Sequence, residues 1–256
     1  MSLGDSARIM LSMIELEVRR ITHDRSEIYS RAVQPLLWLI VFGYVLGSFK
    51  AIPTGGLPYM DYIMPGILMQ STMSVSIFFG LILIWERESG ILKKLFTAPA
   101  PSYAIVIGRA MAAGVRSLAQ AVIILAFALI LGIKVILNPA YLLAAFAIVF
   151  VSSGGFAGIS IMIATFLKTR EKFMGIGQAV ILPLFFTSSA LYPISAMPEI
   201  LQFFARINPM TYAVDAVRAL TITGDLTNLP ADFAAILIFD IVIFALASAS
   251  FKKVIE

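Results

Sequence analysis

Six stretches of this 256-residue chain are apolar at or near the length that crosses a bilayer: 32–49, 62–85, 104–133, 141–167, 173–191 and 232–250. A hydrocarbon core about 30 Å thick takes about 20 apolar residues of helix to cross. Within it every backbone N–H and C=O needs an internal partner, so runs of this kind cross as helices. The fifth stretch is the weakest: its apolar run covers 173–186, carries Pro183 near the middle, and gains length only by taking in 188–191. Hydrophobic residues make up 60% of the chain and charged residues 13%, with a mean hydropathy of +0.94. Soluble domains are nearer half apolar and about a quarter charged. The expectation is one all-α integral membrane domain over 1–256, with six transmembrane helices.

The cations orient the helices. With the N-terminus inside, Arg8, Arg19, Arg20, Arg25, Arg31, Arg87, Lys93, Lys94, Lys168, Arg170, Lys172, Lys252 and Lys253 fall on the inner side. Lys50, Lys134, Arg206 and Arg218 fall outside, and Arg109 and Arg116 lie within or beside the third stretch. That asymmetry follows the positive-inside rule and predicts both termini in the cytoplasm. The segment before the first span is charged and has no long apolar run, so it does not read as a signal peptide.

Several chemistries find no support. Cysteine is absent and His23 is the single histidine, which excludes thiolate and multi-histidine metal sites. There is no G-x-x-x-x-G-K-[ST] phosphate loop, no Rossmann glycine pattern, no H-E-x-x-H and no G-x-S-x-G. No catalytic or metal-binding residues are assigned, the chain is not expected to be an enzyme, and nothing points to nucleic acid.

Three segments outside the spans are distinctive. Over 7–24, Ile9, Met10, Met13, Ile14, Leu16 and Ile21 fit one apolar helical face, with Arg8, Glu15, Arg19 and Arg20 mostly off it. This suits a helix lying in the inner membrane interface among lipids, or one packed on protein. Over 86–101, Ile91, Leu92, Leu95 and Phe96 recur at helical spacing. Glu86 and Glu88 sit where a helix N-terminus would favour them, and Pro99 and Pro101 end the pattern. A short helix of this kind can seat in a groove on a cytosolic partner; an ordinary loop packed on the bilayer fits the same residues. Over 192–220, Pro193, Pro198 and Pro209 break the apolar pattern, and Glu199, Arg206, Asp215 and Arg218 interrupt it. Two short helices dipping in from outside fit this pattern, as does an outer loop lying on the surface.

Glu86-Arg87-Glu88-Ser89-Gly90-Ile91-Leu92-Lys93-Lys94-Leu95 followed by Pro99 resembles the cytoplasmic signature of type-2 ABC transporter permeases. Ala190-Leu191-Tyr192-Pro193, and Ile207-Asn208-Pro209-Met210-Thr211-Tyr212 followed by Asp215 and Arg218, resemble the outer segment of the same family. The likeness is to permeases of the daunorubicin-resistance, nodulation-factor and polysaccharide-export types. Ile91 and Lys93 depart from the Thr and Glu often found there. The resemblance implies the membrane subunit of an ATP-driven exporter in a prokaryotic inner membrane, moving a drug, lipid or lipid-linked glycan outward. It implies a second permease copy and a dimer of ABC ATPase subunits that carry the ATP and Mg²⁺. It makes 86–101 the coupling helix, with Glu86, Arg87, Glu88, Gly90, Ile91, Leu92, Lys93, Lys94, Leu95 and Phe96 meeting the ATPase. It makes 7–24 the interfacial helix and 192–220 a re-entrant pair, with Tyr192, Pro193, Asn208, Pro209, Asp215 and Arg218 forming an outer gate.

Asp240 falls near the centre of the last span, where a charge costs about 2.5–3.5 kcal/mol. Arg109 and Arg116 share a helical face, and depth favours Arg116 as the partner of Asp240. Pairing within the bundle is one reading; a place in the substrate path is another. An ion-coupled secondary transporter using Asp240 is the alternative to an ATP-driven exporter. Gly43-x-x-x-Gly47 and Gly154-x-x-x-Gly158 permit close helix approach, read as packing within the bundle. Met60, Met64, Met69 and Met73 read as core packing, Trp85 as interfacial, and Trp38 as packing or path lining.

Overall fold

The computed structural model describes residues 3–49, 52–89, 101–167 and 169–251. Among them the regular structure is helical throughout. The helices are α1 (Leu3–His23), α2 (Arg25–Phe49), α3 (Tyr59–Phe78), α4 (Gly80–Glu88), α5 (Ser102–Ile130), α6 (Pro139–Phe166), α7 (Arg170–Phe186), α8 (Glu199–Ile207), α9 (Pro209–Arg218) and α10 (Leu229–Phe251). A 3₁₀ turn, Ile194–Ala196, precedes α8, and a π turn, Ala219–Thr223, continues α9.

Five segments are long and apolar enough to cross a membrane: Ser26–Ser48, Tyr59–Glu88, Tyr103–Ile130, Pro139–Phe166 and Leu229–Phe251. The central one contains α3, buried at nearly every position from Tyr59 to Ile77. It packs against α2, α5, α6, α7 and α9. Met64, Met69 and Met73 are fully buried there, as the packing reading expects. Gly43 of α2 faces Met60, and Gly154 and Gly158 of α6 face Phe244 and Ile243 of α10, so both small-residue pairs serve contacts within the bundle.

The stretch expected as one span over 62–85 is interrupted at Phe79. The cause is a side chain from α6: Ser160 Oγ donates to the Ile77 carbonyl, which a straight helix would use for its own ladder. Gly80 makes room for this hydroxyl and for the Phe173 ring. A polar group inserted into the ladder is a recognised cause of helix breaks.

The fifth stretch also departs from expectation. The helix α7 has 17 residues and ends at Phe186 instead of running on to 191. Its last four carbonyls are all taken by side chains beyond it, with Thr187 Oγ1 donating to Pro183 O at 2.8 Å and Asn208 Nδ2 to Leu184 O at 2.7 Å. Ser188 Oγ donates to Phe185 O, and Tyr192 Oη to Phe186 O, each at 2.7 Å. A helix end capped in this way has no need of a further turn. At the other extreme, α2 begins at Arg25, well before the apolar run at 32, because Asp24 accepts from Ser26 Oγ and Glu27 N. The Ser26 hydroxyl, then the Glu27 N–H, hold the Asp24 carboxyl below its ordinary value.

Gly66 of α3 fixes how closely the 187–191 turn approaches. A Cβ there would lie 2.5 Å from the Ala190 carbonyl oxygen and 2.7 Å from its Cα. Backbone cannot rotate aside, so Gly66→Ala is expected to destabilise the fold by about 1–3 kcal/mol. Gly175→Ala, at an open helical position, is expected to stabilise by up to about 1 kcal/mol. Reversible unfolding in mixed micelles reads both signs.

Candidate functional site

The bundle has two polar ends. One end gathers α1, the close of α4, the start of α5, the close of α6 and the start of α7. The last turn of α4 holds three consecutive ties: Glu86 accepts from Arg109 of α5, Arg87 Nη1 donates to Thr165 O of α6 at 3.5 Å, and Glu88 accepts from Arg170 Nε of α7 at 2.8 Å. The Glu86–Arg109 pair is buried, with side chains 12% and 8% exposed, whereas Glu88–Arg170 is half-exposed. This corrects the expectation that Glu86 and Glu88 start a helix: both close α4. Carboxylates at a helix C-terminus face its negative end, and the two arginines offset that repulsion. Gly90, Ile91, Leu92, Lys93, Lys94, Leu95 and Phe96, the rest of the expected coupling segment, lie outside the described residues.

Arg116 is the second knot at this end. Its Nε donates to Glu17 of α1 at 2.5 Å and its Nη1 to Glu27 of α2 at 2.8 Å, with the guanidinium 5.7 Å from the Phe79 ring centroid. The expected Arg116–Asp240 pair does not form. Glu17, 1% exposed, was missed, although its spacing with Met10, Met13, Ile14 and Ile21 put an acid on the packing face of α1. That face rests on α5, where Met10 and Met13 meet Gly108. Leu16, expected beside them, is exposed instead, with Leu11 and Val18.

At the opposite end the turn after α7 is clamped from three sides. Asn208 caps α9 by accepting from Met210 N at 2.9 Å, and Pro209 supplies the first helical position, which has no N–H to satisfy. Arg218, 8% exposed, is the hub. Its Nη1 donates to Asp215 at 2.6 Å, its Nη2 to Ser189 O at 2.7 Å and its Nε to Tyr62 O at 3.3 Å. Its guanidinium lies 4.1 Å from the Tyr62 ring centroid. Ser189 Oγ donates to Asp215 at 2.7 Å, and Tyr59 Oη and Tyr62 Oη donate to Leu191 O and Ser189 O. Thus Asn208, Asp215 and Arg218 act on one turn, and Tyr192 bonds back to Phe186. Burial raises the Tyr192 phenol above its ordinary value. Pro193 precedes the 3₁₀ turn and joins none of these bonds. Tyr59 and Tyr62 were not singled out from sequence; they are the aromatic residues in the first turn of α3.

Asp240 stands apart from both knots. It is 5% exposed, faces Gly154 and Gly155 of α6, and its Oδ1 has no partner among the described residues. Trp38 packs on Phe42 and Phe185, and Trp85 is exposed at the α4 end.

Residues 10–222 match the family model described as ABC-2 type transporter. The chain is 32% identical to the transport permease ycf38 of Cyanophora paradoxa, over 95% of this chain and 86% of that protein. It is 23% identical to the doxorubicin resistance ABC transporter permease DrrC of Mycobacterium tuberculosis (strain CDC 1551 / Oshkosh), over 86% of this chain and 80% of that protein. It is 25% identical to the inner membrane transport permease YadH of Escherichia coli (strain K12), over 71% and 70%.

Proposed function

Because this multi-pass membrane protein belongs to the ABC-2 type transporter family, we propose that it is the membrane subunit of an exporter driven by a separate ATPase. Its partners are a dimer of ABC ATPase subunits, which bind the ATP and Mg²⁺, and a second permease copy. The cargo is hydrophobic or amphipathic, a drug, lipid or lipid-linked glycan, and moves outward through the cytoplasmic membrane of a prokaryote. The name of the DrrC relative supports efflux. The Lys and Arg asymmetry supports six spans, α7 included, with both termini cytoplasmic. On that orientation α1 is the interfacial helix, residues 86–101 carry the coupling helix, and α8 and α9 form the re-entrant outer pair.

One observation carries the coupling assignment. The chain enters the 90–100 segment from a turn anchored to α5, α6 and α7 by Arg109, Thr165 and Arg170. A thrust delivered there reaches three helices at once. Glu86 is spent on the internal pair, so contact with the ATPase falls to the residues after Glu88. Lys93→Glu with Lys94→Glu is expected to cut co-purification of the ATPase about tenfold while membrane insertion is unchanged. Undiminished co-purification would remove the coupling assignment.

The unpartnered Oδ1 of Asp240 favours a second reading, an ion-coupled carrier. Asp240→Asn separates the two. The exporter reading expects ATP-driven transport close to wild type, since Asn retains the shape and needs no counter-charge. Loss of transport with normal ATP hydrolysis and assembly supports the carrier.

A further inference from the structure

The span Tyr59–Glu88 is tied to the bundle on both sides of its break at Phe79. On one side, Tyr59 and Tyr62 donate to the Leu191 and Ser189 carbonyls and Gly66 admits Ala190, so α3 is bound to the turn after α7. On the other, Glu86, Arg87 and Glu88 bind α4 to α5, α6 and α7. The apolar core divides at the same level. Ile63, Met73 and Ile77 of α3 belong to a large core shared with α9 and the end of α7. Leu83 and Ile84 of α4 belong to a separate core, with Ile105 of α5, Ile161 of α6, Phe173 of α7 and Phe251 of α10. Phe79 lies against Ala110, Ala113 and Ala157. Alanine side chains form low ridges, so a tilt across this seam meets little interlocking.

The backbone at the break has two competing bonding patterns. In the structure the Ile77 carbonyl accepts from Ser160 Oγ of α6, a residue 1% exposed, and Ile82 N donates to Phe79 O at 3.2 Å in a tightened turn. In an unbroken α-helix the Ile77 carbonyl accepts from Leu81 N instead. One hydrogen bond replaces the other, so the two forms lie close in free energy. Gly80 leaves the space this exchange needs: a Cβ there would lie 2.8 Å from Phe173 Cζ and 3.0 Å from the Ser160 carbonyl oxygen. Thr165, on the same helix as Ser160, holds Arg87 at the far end of α4. Ser160 is therefore the link between the body that contains α4 and the one that contains α3.

We propose that Phe79–Gly80 is a hinge between these two bodies and that Ser160 sets it. Its hydroxyl holds the broken form, and handing the Ile77 carbonyl to the Leu81 N–H gives the continuous one. In transport Ser160 is then a positioning residue, which turns a thrust on the end of α4 into a tilt against the clamped α3. That role rests on the exporter reading. The hinge itself does not, and its first test needs no ATPase.

The chain has no cysteine, so Ser89→Cys and Ser195→Cys, both at exposed positions, place spin labels at the end of α4 and beside the clamped turn. The doubly labelled full chain is diluted in excess unlabelled chain in nanodiscs, and double electron–electron resonance reads the distances. Two distances are expected. Ser160→Ala is expected to move their ratio about fivefold toward the second. Leu81→Pro removes the N–H that the continuous form needs, in the first turn of α4 where proline is tolerated, and is expected to leave only the first. A single distance that neither variant shifts overturns the hinge. So does a second distance that persists in Leu81→Pro, whatever the folded yield of Ser160→Ala. In the complex with the ATPase, both variants are expected to keep ATP hydrolysis while transport per ATP falls about fivefold. Ser160→Thr, which retains the hydroxyl, is expected to stay close to wild type. Unchanged transport per ATP in both variants overturns the role of Ser160. Distances that shift as expected in a chain with no ATPase partner uphold the hinge and remove the exporter reading.

Discussion

Arg218→Leu is expected to destabilise the protein by about 3–5 kcal/mol. The arginine is buried and serves Asp215, the Ser189 carbonyl, the Tyr62 carbonyl and the Tyr62 ring together. The Ser189 carbonyl keeps the Tyr62 hydroxyl as a donor, so each carbonyl's loss lies toward the low end of about 1–3 kcal/mol, and a desolvated cation over an aromatic face contributes about 2 kcal/mol. These terms overlap, so the total stays below their sum. The ion pair itself is the smaller part, because the Asp215 side chain is 37% exposed and screened by solvent. Asp215→Asn is therefore expected to cost less than 1 kcal/mol. Arg218→Lys keeps the charge but loses the fork that reaches several acceptors, and is expected to fall between the two. Equilibrium unfolding in mixed micelles orders the three. An Asp215→Asn cost equal to that of Arg218→Leu would show the charge, not the carbonyl clamp, to be the main effect.

The second large effect concerns the opposite end. Glu86→Gln leaves Arg109 buried without its counter-charge, and breaking such a pair costs about 3–5 kcal/mol. Replacing both residues by methionine removes the uncompensated charge and is expected to recover most of that loss. ATPase association is expected to fall in the single variant and to return in the double, because the anchor of the α4 turn is restored by packing. A double variant that is stable yet still fails to bind the ATPase would mean that Glu86 contacts the partner directly.

The sequence made the transmembrane frame legible because membrane crossing demands a length and an apolarity that few other structures share. The Asn-Pro pairs at Asn138-Pro139 and Asn208-Pro209 open α6 and α9, whereas Asn208, Asp215 and Arg218 were grouped by family resemblance and meet on a turn more than twenty residues before them. What stayed hidden depends on neighbours distant in sequence. The break at Phe79 comes from Ser160, and the end of α7 at Phe186 is set by Asn208 and Tyr192 as well as by adjacent hydroxyls. Arg116 was paired with Asp240 by depth, but depth along one helix cannot rank partners around its circumference. The acids that reach it, Glu17 and Glu27, lie on helices before the first apolar run.

Burial also changes which residues can serve a partner. Glu86 reads from sequence as part of a docking surface, and its position inside the bundle makes it an internal anchor. The same logic makes Arg218 an organiser of the turn after α7, whose movement would require breaking bonds to α3 and α9 together.

The central claim is that a separate ATPase drives this membrane subunit. The direct measurement is affinity purification of the tagged chain in mild detergent, followed by reconstitution and assay of ATP hydrolysis and of the response to an imposed proton gradient. The account predicts an ABC ATPase in equal amount with the permease, ATP hydrolysis by the complex, and ATP-driven transport that persists when a protonophore collapses the gradient. A permease that purifies without any ATPase, and transports only while the proton gradient stands, would contradict it.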